Sequence, residues 1–275
     1  MIHRARPSWP TIWTLQVATM NRRFVIFAAI ATLPLASTAA FGQEETAPPV
    51  AANVVLVHGA FADGSSWAPV IRILQREGLQ VVAVQNPLTS FEEDVATTRR
   101  ALARIDGPIV LVGHSYGGMV ITEAGDDPNV AALVYVAARA PDVGEDYPAL
   151  AARFPTPPAG AGIVRADGFA QFSEAAFLSD FAGDIPSEQA RVLFAAQGPI
   201  SDTLFSGRTT YAAWREKPSY YAISTADRTT SPELQRFVAT RMNAEVVELN
   251  SSHLSPVSHA EEIAALIIRA VNPDQ

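Results

Sequence analysis

The chain has 275 residues, with 28 acidic against 20 basic side chains and no cysteine. This length suits one large domain or two small ones, and a hydrophobic content of 48% is enough to bury a sizeable core. The lack of cysteine excludes disulfide scaffolds, thiol nucleophiles and thiolate zinc sites, and the net charge of −8 disfavours a nucleic-acid partner.

Residues 21–42 follow the order of a secretory signal peptide. Two arginines, Arg22 and Arg23, precede an apolar stretch at 24–36, and small residues follow up to Gly42, after which cleavage is predicted. The stretch is short for a bilayer span, which needs ~20 residues, and a membrane anchor is the alternative. We expect a signal peptide within residues 1–42, with an extension upstream of Met20, an exposed linker at 43–52, and a secreted or periplasmic protein.

Strands and helices alternate from residue 53 onward. Apolar runs predict strands at 53–57, 81–84, 109–112, 130–137, 220–224 and 246–249. Helical spacing and breakers predict helices at 66–77, 91–105, 116–124, 232–243 and 258–270. Buried strands separated by helices indicate an α/β fold with a doubly wound, mostly parallel sheet over residues 53–275.

The alternation fails between about residues 141 and 218. This segment holds seven of the thirteen phenylalanines and several prolines, and it is too long and apolar for a bare loop. We expect an inserted, mainly helical cap over the carboxyl edge of the sheet; ordinary core helices of the same layer are the alternative.

The sequence Gly113-His-Ser115-Tyr-Gly117 lies between a predicted buried strand and a predicted helix. That context is the one in which G-x-S-x-G forms a sharp turn that exposes a nucleophilic serine. Glycines are needed there because larger side chains would collide with neighbouring backbone. Ser115 is therefore the predicted nucleophile; a bystander serine in a glycine-rich turn is the alternative.

A serine hydroxyl needs a base to take its proton, and a third group must orient that base. His253 follows the predicted strand 246–249 and is favoured as base over His259, which follows a predicted helix cap at Ser258. Asp227 follows the strand 220–224 and gives the chain order Ser, Asp, His. The fallback carboxylates are Asp126, Asp127 and Asp142.

An oxyanion hole requires backbone donors that already point at the developing charge. One donor is predicted to be the amide of Tyr116, the residue after the nucleophile. The second is expected in the loop after the first strand, where Ala60 is preferred and Phe61 is in reserve. Phe61 is also a candidate for contact with substrate.

These motifs together resemble the alpha/beta-hydrolase superfamily. Within it the chain is similar to plant methyl esterases, hydroxynitrile lyases and bacterial carboxylesterases over about residues 53–271. The resemblance implies a Ser115, Asp227 and His253 triad, an oxyanion hole from Ala60 and Tyr116, and no cofactor. Hydroxynitrile lyases carry a lysine after the histidine, where this chain has Leu254, and dehalogenases and epoxide hydrolases use an aspartate nucleophile.

The expected function is therefore cleavage of carboxylic esters of small or medium apolar or aromatic substrates through an acyl-enzyme on Ser115. No metal, no nucleic-acid partner and no stable membrane anchor after signal cleavage are expected. Cleavage of an amide or carbon–carbon bond by the same residues, or a non-catalytic small-molecule receptor on this fold, are the alternatives.

Overall fold

The computed structural model describes residues 53–273, so the predicted signal peptide and linker lie outside the described residues. The described strands are β1 (Asn53–Val57), β2 (Gln80–Val84), β3 (Ile109–His114), β4 (Val130–Val136), β5 (Ile163–Ala166), β6 (Phe169–Phe172), β7 (Ile200–Ser201), β8 (Ser219–Ser224) and β9 (Glu245–Leu249). The described α-helices are α1 (Ala68–Arg76), α2 (Phe91–Leu102), α3 (Gly117–Ala124), α4 (Tyr147–Ala151), α5 (Glu174–Ala176), α6 (Ser187–Ala196), α7 (Pro232–Arg241), α8 (Ser255–Ser258) and α9 (Ala260–Val271). None of these helices combines the length and apolarity needed to cross a bilayer.

The central sheet contains six strands in the order β2-β1-β3-β4-β8-β9, and every neighbouring pair is parallel. The prediction of a doubly wound, mostly parallel sheet is therefore confirmed. Because all six strands run the same way, the loops that follow them meet at one edge of the sheet.

Helices cover both faces of the sheet, and alternate side chains of each strand point to opposite faces. In β1, Val54 and Leu56 belong to the core cluster that contains the apolar side of α9, whereas Val55 and Val57 belong to the cluster that contains Met119 of α3. All six residues of β3 are buried. The strand that precedes Ser115 is therefore fixed from both sides.

The element boundaries agree with the predictions to within a few residues, with one departure near the carboxyl terminus. The helix predicted at 258–270 corresponds to α9, and the short helix α8, which was not predicted, precedes it with His259 between the two. The side chain of Ser258 does not cap α9; its hydroxyl lies 2.9 Å from Nδ1 of His259 instead.

The segment between β4 and β8 contains α4, α5 and α6 together with a small antiparallel sheet in the order β5-β6-β7. This sheet was not predicted. Asp167 and Gly168 both have positive φ, 52° and 81°, and form the two-residue turn between β5 and β6 that favours a hairpin. The Asp-Gly pair was thus a usable hairpin signal within the segment predicted to be mainly helical.

Candidate active site

Ser115 lies at the turn between β3 and α3 with a φ of 53°, which is unfavourable for a residue with a side chain. The flanking glycines make this turn sterically feasible. A Cβ on Gly113 would lie 2.6 Å from the carbonyl oxygen of Gly117, and a Cβ on Gly117 would lie 2.5 Å from that of Val57. The predicted strained turn is therefore present, and it leaves Ser115 partly exposed.

His253 lies in the loop that connects β9 to α8, and its side chain is fully buried. Its ring packs between Phe181, with ring centroids 5.1 Å apart, and His114, at 4.9 Å. The preceding residue is anchored from the segment between β4 and β8, because the amide of Ser252 donates to Oδ2 of Asp184 over 3.0 Å. The imidazole is held by packing on both sides and by this backbone anchor.

The structure brings Ser115, His253 and Asp227 into one hydrogen-bonded chain. Nδ1 of His253 donates to Oδ2 of Asp227 over 2.7 Å. Nε2, which then carries no proton, lies 2.8 Å from Oγ of Ser115 and accepts from that hydroxyl. The arrangement can draw the proton from the serine and stabilise the charge that forms on the imidazole.

Asp227 is buried after β8 and accepts four hydrogen bonds. Its Oδ1 accepts from the amides of Thr229 and Thr230 at 2.7 and 2.9 Å, and its Oδ2 accepts from His253 and from Nε2 of Gln235 at 2.8 Å. The amide oxygen of Gln235 accepts from the amide of Ser224, which fixes the orientation of the side chain. These donors hold the carboxylate in place and stabilise its negative charge.

Two further histidines near this site have other hydrogen-bond partners. Nε2 of His114 donates to the carbonyl oxygen of His253 over 2.9 Å. In His58, Nδ1 donates to the carbonyl oxygen of Gly59, and Nε2 accepts from the amide of Asn86. Burial lowers the pKa of both imidazoles, that of His114 to well below its ordinary value. Both residues support the backbone around the site in the neutral form.

The structure does not bring the alternative residues to Ser115. His259 lies 3.7 Å from Asp184 and contacts the hydroxyl of Ser258. The fallback carboxylates have other partners: Asp126 pairs with Arg99, Asp127 accepts from the amide of Asn129, and Asp142 pairs with Arg215.

The predicted oxyanion donors lie at the same turn. A Cβ on Gly59 would be 2.7 Å from Cβ of Ser115, so the loop after β1 approaches the serine closely. Within residues 53–273, neither the amide of Ala60 nor that of Tyr116 donates a hydrogen bond to protein. The ring of Phe61 packs against Phe172 with centroids 4.4 Å apart. The two amides are thus available to a ligand oxygen.

A narrow crevice of about 10 Å³ lies beside this loop. Its lining includes Phe61, Phe181 and Leu254, together with Phe177 and Leu193. That volume is close to the minimum that a single water molecule needs. A wider groove of about 530 Å³ runs along α2 and contains none of the three hydrogen-bonded residues. The narrower crevice contains none of the three either, but Phe181 of its lining packs on His253 and Leu254 directly follows that residue, so the crevice is the better candidate for the edge of a substrate chamber.

Sequence reasoning missed three residues that support the site. Gln235 orients Asp227, Asp184 anchors Ser252, and Asp94 accepts from the hydroxyl of Tyr116 over 2.9 Å. Gln235 lies on α7, eight residues beyond Asp227, and no motif marks it. A buried polar position in an otherwise apolar helix face was the only available signal, and Asp94 on α2 shows the same pattern.

Comparison with known proteins identifies the family of the chain. Residues 54–266 match the model of the alpha/beta hydrolase family. The chain belongs to that family. A relative in Aspergillus novofumigatus, also an alpha/beta hydrolase, is 26% identical over 240 residues, which cover 79% of this chain and 95% of the relative. A carbendazim-hydrolysing esterase of a Nocardioides species is 36% identical over 113 residues, which cover 36% of this chain and 47% of that protein.

Solved structures of the family share the fold. A pyrethroid hydrolase from Sphingobium faniae superposes with a TM-score of 0.68 at 23% identity, covering 81% of this chain and 98% of its own. Polyneuridine aldehyde esterase superposes with a TM-score of 0.68 at 19% identity, and the match covers 78% of this chain and 97% of that protein. A methylesterase from Arabidopsis superposes with a TM-score of 0.65 at 17% identity, and the match covers 80% of this chain and 98% of that protein. This alpha/beta hydrolase thus has the architecture of known esterases and hydrolases.

Proposed function

We propose that this alpha/beta hydrolase is a serine esterase that cleaves carboxylic esters through an acyl-enzyme on Ser115. The observation that carries the proposal is the continuous hydrogen-bonded chain from Ser115 through His253 to Asp227. His253 takes the proton as Oγ attacks the ester carbonyl, and then gives it to the departing alcohol. Water repeats the sequence on the acyl-enzyme and releases the acid.

The amides of Ala60 and Tyr116 stabilise the tetrahedral oxyanion in this proposal. Both are free of protein acceptors within residues 53–273, and the close approach of Gly59 to Ser115 supports their placement near the reacting carbonyl. Preorganised amides of this kind are worth about 3–4 kcal/mol of transition-state stabilisation per donor. No metal or organic cofactor has a role in this mechanism.

The proposed substrates are small or medium esters with an apolar or aromatic group. Most of the crevice lining is apolar, including Phe61, Phe181 and Leu254, and Phe181 also packs on His253. The polar part of the lining consists of Asp63, Ser65 and Ser66. Because the crevice holds only about 10 Å³, substrate entry requires displacement of aromatic side chains contributed by the segment between β4 and β8.

A panel of nitrophenyl, methyl and aryl esters tests the substrate class, and an organophosphonate tests the nucleophile. We expect turnover of short-chain or aromatic esters and covalent labelling of Ser115. Mandelonitrile should release no cyanide above the uncatalysed rate, because Leu254 offers no charge to a departing cyanide. Labelling at another residue, or a preference for cyanohydrins, would contradict the proposal.

We also propose that the protein is secreted or periplasmic, on the basis of the signal-like order of residues 21–42. Mass spectrometry of protein isolated from the native host checks this proposal. We expect the mature protein to begin near residue 43. A mature protein that still contains residues 21–42 would contradict the proposal.

A further inference from the structure

A second pocket, of about 80 Å³, lies between α4, the loop after β8 and the beginning of α7. Its polar lining consists of Arg139, Tyr147, Thr229, Thr230 and Ser231. The volume corresponds to roughly two or three water molecules at about 30 Å³ each. A small pocket with several convergent polar groups is typical of a site for a small polar ligand group.

Arg139 carries a positive charge into this pocket without a carboxylate partner among residues 53–273. Its guanidinium stacks instead on the ring of Phe205 at 4.0 Å and lies 5.6 Å from the ring centre of Tyr147. Burial lowers its pKa, and only tyrosines act on its charge to raise it. By contrast, Arg241 pairs with Glu145 at 2.8 Å. The stacked rings orient the guanidinium but leave its hydrogen-bond donors for another group.

Tyr147 also lines this pocket, and its hydroxyl is buried. The residue is only 3% exposed, and within the described part of the chain its oxygen has no hydrogen bond of good geometry, the backbone amide of Ala140 being the polar group that approaches it. Burial raises the pKa of Tyr147 to about 12, so the hydroxyl keeps its proton and can donate it. A buried polar group without a partner is costly, and a bound ligand would remove that cost.

The pocket adjoins the backbone of the proposed active site. The amide of Arg139 donates to the carbonyl oxygen of Ser115 over 2.9 Å. The amides of Thr229 and Thr230 donate to Asp227, so the backbone of this part of the pocket wall is held by the carboxylate that orients His253. Ser231 caps α7, whose amino end adds a positive potential at the pocket wall.

We propose that this pocket binds a carboxylate, held by the guanidinium of Arg139 and the hydroxyl of Tyr147. The carboxylate belongs either to a free small organic acid or to the second acid group of a half-ester substrate. The half-ester source rests on the proposed esterase function, whereas binding of a free acid does not. A planar carboxylate matches this pair, because the guanidinium offers only hydrogen-bond donors and the protonated hydroxyl of Tyr147 can donate to a second carboxylate oxygen.

Acetate binding to the Ser115→Ala protein, measured by ligand-observed NMR, tests the pocket independently of catalysis. We expect acetate to bind and its neutral isostere acetamide to bind at least ~10-fold more weakly. Arg139→Gln and Tyr147→Phe should each weaken acetate binding, Arg139→Gln by ~10-fold or more. Tyr147→Phe removes only the hydroxyl and keeps the ring and its packing. Arg191→Gln on α6 removes an equal charge outside the pocket and should leave acetate binding unchanged. Equal binding of acetate and acetamide, absence of acetate binding, or full acetate binding by Tyr147→Phe and Arg139→Gln would overturn the proposal.

Kinetics then distinguish the two sources of the carboxylate. The ratio of kcat/KM for monomethyl succinate to that for dimethyl succinate is compared between the wild-type protein and Arg139→Gln. If this ratio falls by ~10-fold in the variant because KM for the half-ester rises, the pocket binds the free carboxylate of the substrate. An unchanged ratio together with lost acetate binding assigns it to a free acid. If neither succinate ester is hydrolysed, the half-ester source is excluded, the panel of nitrophenyl, methyl and aryl esters decides the esterase proposal, and the acetate titration still decides whether the pocket is a carboxylate site.

Discussion

His114 and His253 are buried imidazoles whose rings lie 4.9 Å apart, yet they have different hydrogen-bond partners. His253 faces a carboxylate at Nδ1 and a serine hydroxyl at Nε2. His114 donates only to the backbone carbonyl of His253, and its Nδ1 has no partner within residues 53–273. Burial lowers the pKa of His114 well below the ordinary value. A buried histidine can therefore serve as a base only where a carboxylate supports its protonated form.

The same contrast exists between two buried carboxylates on either side of Ser115. Asp227 accepts four hydrogen bonds, whereas Asp94 accepts two, from the amide of Leu88 and the hydroxyl of Tyr116. Burial raises the pKa of Asp94 to about 6 despite these two bonds. Asp227 is thus arranged to orient a histidine, and Asp94 to hold the side chain next to the nucleophile.

Loss of His253 should have the largest effect. His253→Ala and Ser115→Ala should each lower ester hydrolysis by at least ~10³-fold, because each removes a participant in proton transfer. Initial rates with a nitrophenyl ester measure the effect, and circular dichroism checks that the fold persists. Near-normal hydrolysis by either folded variant would disprove the proposed mechanism.

The buried carboxyl group of Asp94 should make the stability of the protein depend on pH. The folded state holds the Asp94 proton more tightly than the unfolded chain, so its contribution to stability is complete below about pH 4 and is lost as the pH rises through about 6. The free energy of unfolding of the wild type, relative to Asp94→Asn, should therefore fall by up to about 3 kcal/mol over this interval. Urea unfolding at pH 4 and pH 7 measures it.

The exposed Asp167 in the β5–β6 turn provides the control for that experiment. Asp167→Asn removes the same charge and suits the positive φ of the turn. Its stability relative to the wild type should change little over the same pH interval. A difference between wild type and Asp94→Asn that is constant with pH would contradict the assignment.

His114 should have a moderate effect through the position of His253. His114→Phe removes the hydrogen bond to the carbonyl of His253, and we expect kcat to fall by about 10-fold with KM nearly unchanged. His114→Gln retains a donor and should recover most of the rate. If Phe and Gln variants are equally impaired, the hydrogen bond does not position His253.

His259 should have the smallest effect. It lies between α8 and α9, against Ser258 and Asp184, and does not contact Ser115. His259→Ala should change kcat/KM by no more than ~2-fold. A loss comparable to that of His253→Ala would show that the two histidines have been assigned the wrong roles.

Much of the fold could be predicted because its signals are local. The apolar runs of β1 and β3 and the helical spacing of α1 are each encoded within a few residues. In the sheet β5-β6-β7, the Asp167-Gly168 turn marked the hairpin of β5 and β6 locally and was overlooked. The pairing of β6 with β7 spans α5 and α6, so no local pattern marks it. Candidate site residues were accessible because parallel strands place their following loops at one edge.

The sequence by itself determined the sharp turn at Ser115, because only glycines fit the backbone contacts on either side of it. It also determined that Asp227 and His253 follow strands β8 and β9. The tertiary structure alone decided which groups pair. The hydrogen bond between His253 and Ser115 joins residues 138 positions apart. That Arg139 has no carboxylate partner among residues 53–273 is likewise recognisable only when its neighbours are known. Such pairings depend on distances between side chains that local sequence does not specify.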